Sequence, residues 1–224
     1  MKLKSFSPIL LIMAGVFLTA ASYPVSSRLE DGFKAGKLGQ WDKAIQLFTQ
    51  VLNADTKNAA AYYNRGVMHY RKNQLDQALA DFIAASEIRP SYFQAVFNRG
   101  NVHLKKGEYK EAVEVFSRAI ALHPENADAH LNRAKAYKET GQMQKALEDY
   151  EQILARDPSH AEAFYSRGII YSLMGKPDEA IGSFSKAIEA REHFISAYYQ
   201  RALAYQKKGD VRRAEEDFLN AAAG

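Results

Sequence analysis

From Val25 onward, apolar and polar residues follow the three-to-four-residue rhythm of helix faces, and a longer rhythm of 34 residues is laid over it. Aligning Gly66-Val67 with Gly100-Asn101 and Gly168-Ile169 sets the period, and no insertion is needed from Val25 to Gly224. Six units follow, over 25–58, 59–92, 93–126, 127–160, 161–194 and 195–224. Positions are numbered 1 to 34 within each unit. Position 8 is small throughout (Gly32, Gly66, Gly100, Ala134, Gly168, Ala202), and position 20 is always alanine (Ala44, Ala78, Ala112, Ala146, Ala180, Ala214). Position 24 is aromatic (Phe48, Phe82, Phe116, Tyr150, Phe184, Phe218) and falls one turn beyond the alanine, on the same helix face.

This pattern predicts two antiparallel helices per unit, touching closely where the small residues at positions 8 and 20 meet. Position 15 carries Gly39, Gly107, Gly141, Gly175 and Gly209, with Asn73 in the second unit, and these residue types accept the left-handed conformation that ends a helix. Pro90, Pro124 and Pro158 mark the exit from the second helix. Each unit is therefore a helical hairpin whose apolar faces are covered only by its neighbours.

The second unit reads AAAYYNRGVMHYRKNQLDQALADFIAASEIRPSY and the third FQAVFNRGNVHLKKGEYKEAVEVFSRAIALHPEN. These residues resemble the tetratricopeptide repeat family, in the subtype with Asn-Arg-Gly in its first helix, over the whole chain after the N-terminal leader. The resemblance implies an all-α, right-handed superhelical solenoid of six antiparallel hairpins, with a concave surface lined by the first helices. The ends depart from the pattern. Position 21 is Ile45, Leu79, Val113, Leu147 and Ile181, then Glu215 in the last unit, while the first unit has Arg28 and Ala35 where later units carry mostly Tyr, Phe or His. Both ends read as adapted to water, and the array is expected to be complete.

The N-terminus changes how charge is read. Lys2 and Lys4 precede an apolar run from Ile9 to Leu18 and then Thr19, Ala20, Ala21 and Ser22, the order of a secretory signal peptide over residues 1–21. The run is shorter than the roughly 20 residues of a spanning helix, so cleavage rather than anchoring is expected, leaving a domain over 22–224 outside the membrane. The 224-residue chain has a net charge of +4, but without the leader 28 basic residues face 26 acidic ones, a net charge of +2. No nucleic-acid footprint remains. The reading is an exported protein, periplasmic or secreted. With 0 cysteines, disulfides, thiolate metal sites and cysteine nucleophiles are excluded.

No phosphate loop, Gly-x-Ser-x-Gly elbow or His-Glu-x-x-His pair occurs, and no enzyme, cofactor or metal site is expected. His69 and His103 share position 11 with Tyr137, Tyr171 and Tyr205 and read as packing residues; His123, His130, His160 and His193 read as solvated. Arg65, Arg99, Arg133, Arg167 and Arg201 recur at position 7. They pair with local carboxylates such as Asp81, Asp149 and Asp217 or meet an acidic partner, and the units with Val115 and Ser183 leave the first reading incomplete.

A second apolar stripe follows positions 5, 9 and 12: Tyr63, Val67 and Tyr70, then Phe97, Asn101 and Leu104, then Tyr165 and Ile169, then Tyr199 and Leu203. In the family it resembles, this stripe lines the concave groove, and exposed aromatics suit protein binding; part of position 5 has inter-hairpin packing as its alternative. Tyr165, Ile169, Leu173, Tyr199 and Leu203 form the most continuous apolar stretch. Asn64, Asn98 and Asn132 at position 6 resemble the ladder by which some members of the family hold an extended peptide backbone, since an amide both donates and accepts. Positions 2 and 5 contain no lysine, which disfavours the carboxylate clamp of cytosolic co-chaperones. The expectation is a monomeric, non-catalytic scaffold that binds a protein or extended peptide in envelope assembly. The alternative is a self-assembling structural repeat protein.

Overall fold

The computed structural model describes residues 24–223, and the signal-peptide reading over 1–21 lies outside them. Twelve helices account for most of the described chain: α1 (Val25–Lys37), α2 (Trp41–Ala54), α3 (Ala59–Arg71), α4 (Leu75–Ile88), α5 (Phe93–Lys106), α6 (Tyr109–Leu122), α7 (Ala127–Glu139), α8 (Met143–Arg156), α9 (Ala161–Leu173), α10 (Pro177–Ala190), α11 (Ile195–Lys207) and α12 (Val211–Ala222). There is no strand among the described residues. The odd-numbered helices start at Val25, Ala59, Phe93, Ala127, Ala161 and Ile195 and the even-numbered ones at Trp41, Leu75, Tyr109, Met143, Pro177 and Val211, every step being 34 residues. The chain divides between Ala95 and Val96 into two compact units.

The same hydrogen-bonded turn joins the two helices of each hairpin. In the first, Gly39 has φ 73°, its N–H donates to the Gly36 carbonyl at 3.2 Å, and the Gln40 N–H donates to the Ala35 carbonyl at 3.0 Å. Those bonds satisfy carbonyls that the end of α1 would otherwise leave unpaired. Asn73 takes the same conformation at φ 61°, as the residue type at position 15 predicts. On the way into the next hairpin, Asn58 accepts from the Ala61 N–H and Asn126 from the Ala129 N–H, capping α3 and α7.

Positions 8 and 20 share a core cluster in the fourth hairpin, Ala134 with Ala146, and position 8 also faces the aromatic at position 24. A Cβ placed on Gly32, Gly100 or Gly168 would lie 2.5–2.6 Å from the ring of Phe48, Phe116 or Phe184. The glycine at position 8 thus makes room for the aromatic edge at position 24. The alanine at position 20 packs towards the next hairpin, clustering with the residue 24 places on: Ala44 with Met68 in the first unit, and Ala112 with Ala136, Ala146 with Ile170 and Ala180 with Ala204 in the second. A larger side chain there would push two hairpins apart. Ala35 differs from its reading as a water-adapted residue. It is buried with Ala44, Phe48 and Met68, because a small side chain at position 11 of α1 admits Met68 from α3. Glu215 is exposed on α12.

Candidate partner-binding face

The arginine column is largely internal. Arg65 donates through Nε and Nη2 to both oxygens of Asp81 at 2.9 and 2.7 Å, and through Nη1 to Thr49 of the preceding hairpin at 3.1 Å. Arg133 does the same with Asp149 and Ser117, and Arg201 with Asp217 and Ser185. These carboxylates are buried, and their hydrogen bonds hold Arg65 and Arg201 above the ordinary arginine range. Arg167 instead bonds Ser183 at 3.2 Å and lies over the Phe164 ring. In the third hairpin Val115 of α6 occupies the carboxylate position, and Nε of Arg99 and Nε2 of His103 on α5 are buried without a hydrogen-bond partner.

His130 is not solvated, contrary to the reading of the sequence. It is 5% exposed, with Nδ1 2.7 Å from Asp149 Oδ1 and Nε2 3.0 Å from the Pro124 carbonyl. Position 4 faces the second helix of its own hairpin, so a polar side chain there must find internal partners. His160 caps α9 through Nδ1, which accepts from the Ala163 N–H.

The position 5 aromatics are shared between core and surface. Tyr63 packs against Phe82 and Tyr92, with centroids 5.9 and 5.0 Å away, and Tyr165 against Phe184 and Phe194 at 5.9 and 4.9 Å. Phe97 meets Phe116, and Tyr199 meets Phe218. Of these four, Tyr199 is the exposed one, at 49%. Val67 and Tyr70 lie half-buried on α3.

The asparagines form a chain within the second unit. Asn132 Nδ2 donates to Asn101 Oδ1 at 2.9 Å, and Asn101 Nδ2 donates to Asn98 Oδ1 at 3.1 Å. In the first compact unit, Asn64 donates to the Ala60 carbonyl of its own helix. The column passes to Ser166, whose side chain interacts with that of Tyr150 and favours its ionised form. Tyr150 replaces the phenylalanine of other hairpins, is buried, and has its pKa pushed up to about 12 by burial.

Two cavities open on the same face of the second unit. The first, about 470 Å³, is walled by Leu131, Asn132, Lys135 and Lys138 of α7 and by Glu162, Tyr165, Ser166 and Ile169 of α9, with Tyr150 beneath. The second, about 370 Å³, is walled by Ser172 and Gly175 at the end of α9, Pro177 at the start of α10, and Gln200, Leu203, Ala204 and Lys207 of α11. Of the sequence-selected residues, Asn132, Tyr165 and Ile169 share the first cavity and Leu203 lines the second, whereas Leu173 is exposed on α9 outside both walls. Lys135, Lys138, Tyr150, Glu162 and Ser166 were not selected. The signal for the lysines was available: they interrupt columns that are uncharged in every other unit.

No three His, Asp or Glu side chains among the described residues group as metal ligands. No described helix is long and apolar enough to cross a membrane.

Four family models match the chain, described as TPR repeat over residues 100–141 and as tetratricopeptide repeat over 35–93, 125–193 and 195–222. DnaJ homolog subfamily C member 7 of Homo sapiens is 32% identical over 74 residues, a segment that is 31% of this chain and 15% of that relative's length. Among solved structures, YrrB, titled a TPR protein with an unusual peptide-binding site, is 26% identical, with a TM-score of 0.64 over 78% of this chain and 90% of its own. MamA is 25% identical with a TM-score of 0.67, covering 70% of this chain and 92% of its own. PilW, titled a type IV pilus biogenesis factor, is 20% identical with a TM-score of 0.75, over 89% and 93% of the two chains, and shows the likeness of fold alone. With matches across residues 35–93, 100–193 and 195–222, and helices recurring every 34 residues, the chain is built of tetratricopeptide repeats.

Proposed function

We propose that the protein is a non-catalytic scaffold, exported from the cytoplasm, that holds a protein or extended peptide segment on the first-helix face of its hairpins and serves envelope assembly. The observation that carries this reading is the pair of cavities in the second unit, both walled by positions 6 and 9 of first helices: Asn132, Lys135, Ser166 and Ile169 in the first, Gln200 and Leu203 in the second. Their volumes lie in the range of ligand sites, and their walls mix apolar side chains with a few polar groups. The likeness to YrrB favours a peptide as the ligand class. Export rests on the basic, apolar and small-residue order of residues 1–21.

The test is affinity capture from an envelope extract with the wild type and with Leu203→Glu and Lys135→Glu, circular dichroism first establishing that the variants fold. A partner held by the wild type and lost from the variants supports the groove. A partner retained equally by all three overturns it. N-terminal sequencing of the secreted chain, expected to begin at Ser22, tests export. Self-assembly is the second reading, favoured by Val211 and Leu219, which are 60% and 71% exposed on α12. Light scattering that shows a mass rising with concentration would put it first.

A further inference from the structure

We propose, on the basis of the groove reading above, that the cavity between α7 and α9 selects an extended peptide with an acidic side chain close to an apolar one. The charges of its walls carry the argument: two lysines on α7 stand against one acid on α9, Glu162, which has Arg191 4.0 Å away. Lys135 and Lys138 occupy positions 9 and 12 of the fourth unit, and no other unit has a charged residue at either position. Both lysines stand on α7 and line this one cavity. Lys138 is tied to Glu139 at 2.9 Å, whereas Lys135 is exposed and makes no ion pair among the described residues. A cation that interrupts an otherwise uncharged column does not serve the packing that the column serves in the other hairpins.

The opposite wall, on α9, supplies an apolar seat in Tyr165 and Ile169, both half-buried, and Leu131 of α7 adds to it from the side of the lysines. A carboxylate at Lys135 and an aliphatic side chain at Ile169 would satisfy both walls at once. An acid within the segment, rather than a terminal carboxylate, fits because the lined face continues both ways. Asn132 connects through Asn101 to Asn98 on α5, and the cavity at Leu203 follows beyond α9. A chain passing through can use the amide groups of the asparagines on one side and the apolar cavity on the other, and a chain ending at the lysines would use only one.

The experiment is two-dimensional NMR of the isotopically labelled protein titrated with decapeptides of Gly and Ser, acetylated and amidated, that carry one Glu and one Leu two residues apart. Counterpart peptides replace Glu by Gln or Lys, replace Leu by Ser, or carry only a free C-terminal carboxylate. The Glu-Leu peptide is expected to shift signals around Lys135 and Ile169 and to bind at least tenfold more tightly than the Lys-Leu peptide, with the difference shrinking as salt rises. Lys135→Glu, at an exposed site, should reverse the preference between those two peptides. Equal binding of the Gln and Glu peptides, or binding of the free-carboxylate peptide alone, overturns the selection of an internal acid and leaves the groove standing. If no peptide shifts signals on α7 or α9, the groove reading falls with it.

Discussion

The arginine column makes a reciprocal pair of substitutions informative: Asp149→Val imposes on the fourth hairpin what the third already has, and Val115→Asp does the reverse. Asp149 is 2% exposed and receives both Nε and Nη2 of Arg133 as well as Nδ1 of His130. Its loss leaves a guanidinium and an imidazole facing methyl groups. Removing one partner from a buried ion pair costs about 3–5 kcal/mol. For a chain of this length that lowers the melting temperature by on the order of 10 °C. Val115 is 6% exposed, and an aspartate there would ordinarily cost several kcal/mol, as in any apolar core. Here, however, the nitrogens that meet the carboxylate in the second hairpin, where Arg65 Nε is 2.9 Å and His69 Nε2 3.9 Å from Asp81 Oδ2, have counterparts in Arg99 and His103 that are buried and unpartnered. Hydrogen bonds to a charged group contribute about 1.5–3 kcal/mol each, so the desolvation cost is offset and the net change should stay within about 1 kcal/mol. Ala119→Asp, at a fully buried site in the same helix, is the control expected to unfold the hairpin. Guanidinium melts followed by circular dichroism measure all three. A loss above about 3 kcal/mol for Val115→Asp, or below about 1 for Asp149→Val, would refute the view that the column is a set of stabilising pairs with one vacancy.

Gly100→Ala should destabilise by about 1–3 kcal/mol, because its Cβ would lie 2.6 Å from a Phe116 ring that is fully buried; thermal melting checks it. The Tyr150 hydroxyl ionises near pH 12 in the folded chain against 10.0 ordinarily, so its contribution is complete below pH 10 and is lost as pH rises through 12. By that shift the loss reaches about 2–3 kcal/mol, and Tyr150→Phe should flatten the alkaline arm of a stability profile. Tyr199→Ala should weaken partner binding by more than about 1 kcal/mol with little change in stability, while Tyr165→Ala should lower stability as well because it packs on Phe184 and Phe194; calorimetric titration paired with melting separates the two.

The hairpins and their turns were legible because each depends on residues within one 34-residue unit. Position 15 announces a left-handed turn, and Asn73 shows that the rule concerns backbone freedom rather than glycine itself. The packing of Ala44 on Met68 or Ala146 on Ile170 was not legible, since it joins different hairpins and a repeat alignment places equivalent residues in register rather than in contact. His130 was misread for a related reason: its partners, Asp149 and the Pro124 carbonyl, are 19 and 6 residues away, and nothing in its local sequence marks them. On the candidate face, the apolar members Tyr165, Ile169 and Leu203 were found from the helical stripe. The polar floor was missed because Tyr150 lies on a second helix and reaches Ser166 only across the joint between hairpins.

That joint differs from its neighbours in what crosses it. Arg133 reaches back to Ser117 and Arg201 to Ser185, so those successive hairpins are clasped by a charged side chain that also grips a carboxylate. Arg167 bonds only within its own hairpin, to Ser183, and what joins α8 to α9 is uncharged: the Tyr150–Ser166 pair and the packing of Ala146 on Ile170. In a chain whose cohesion is a sum of neighbour-to-neighbour links, the joint without a charged clasp therefore coincides with the 470 Å³ cavity. Strain introduced by a partner would be taken up there first, and the backbone amides flanking Ser166 would be the earliest in the second unit to exchange with solvent.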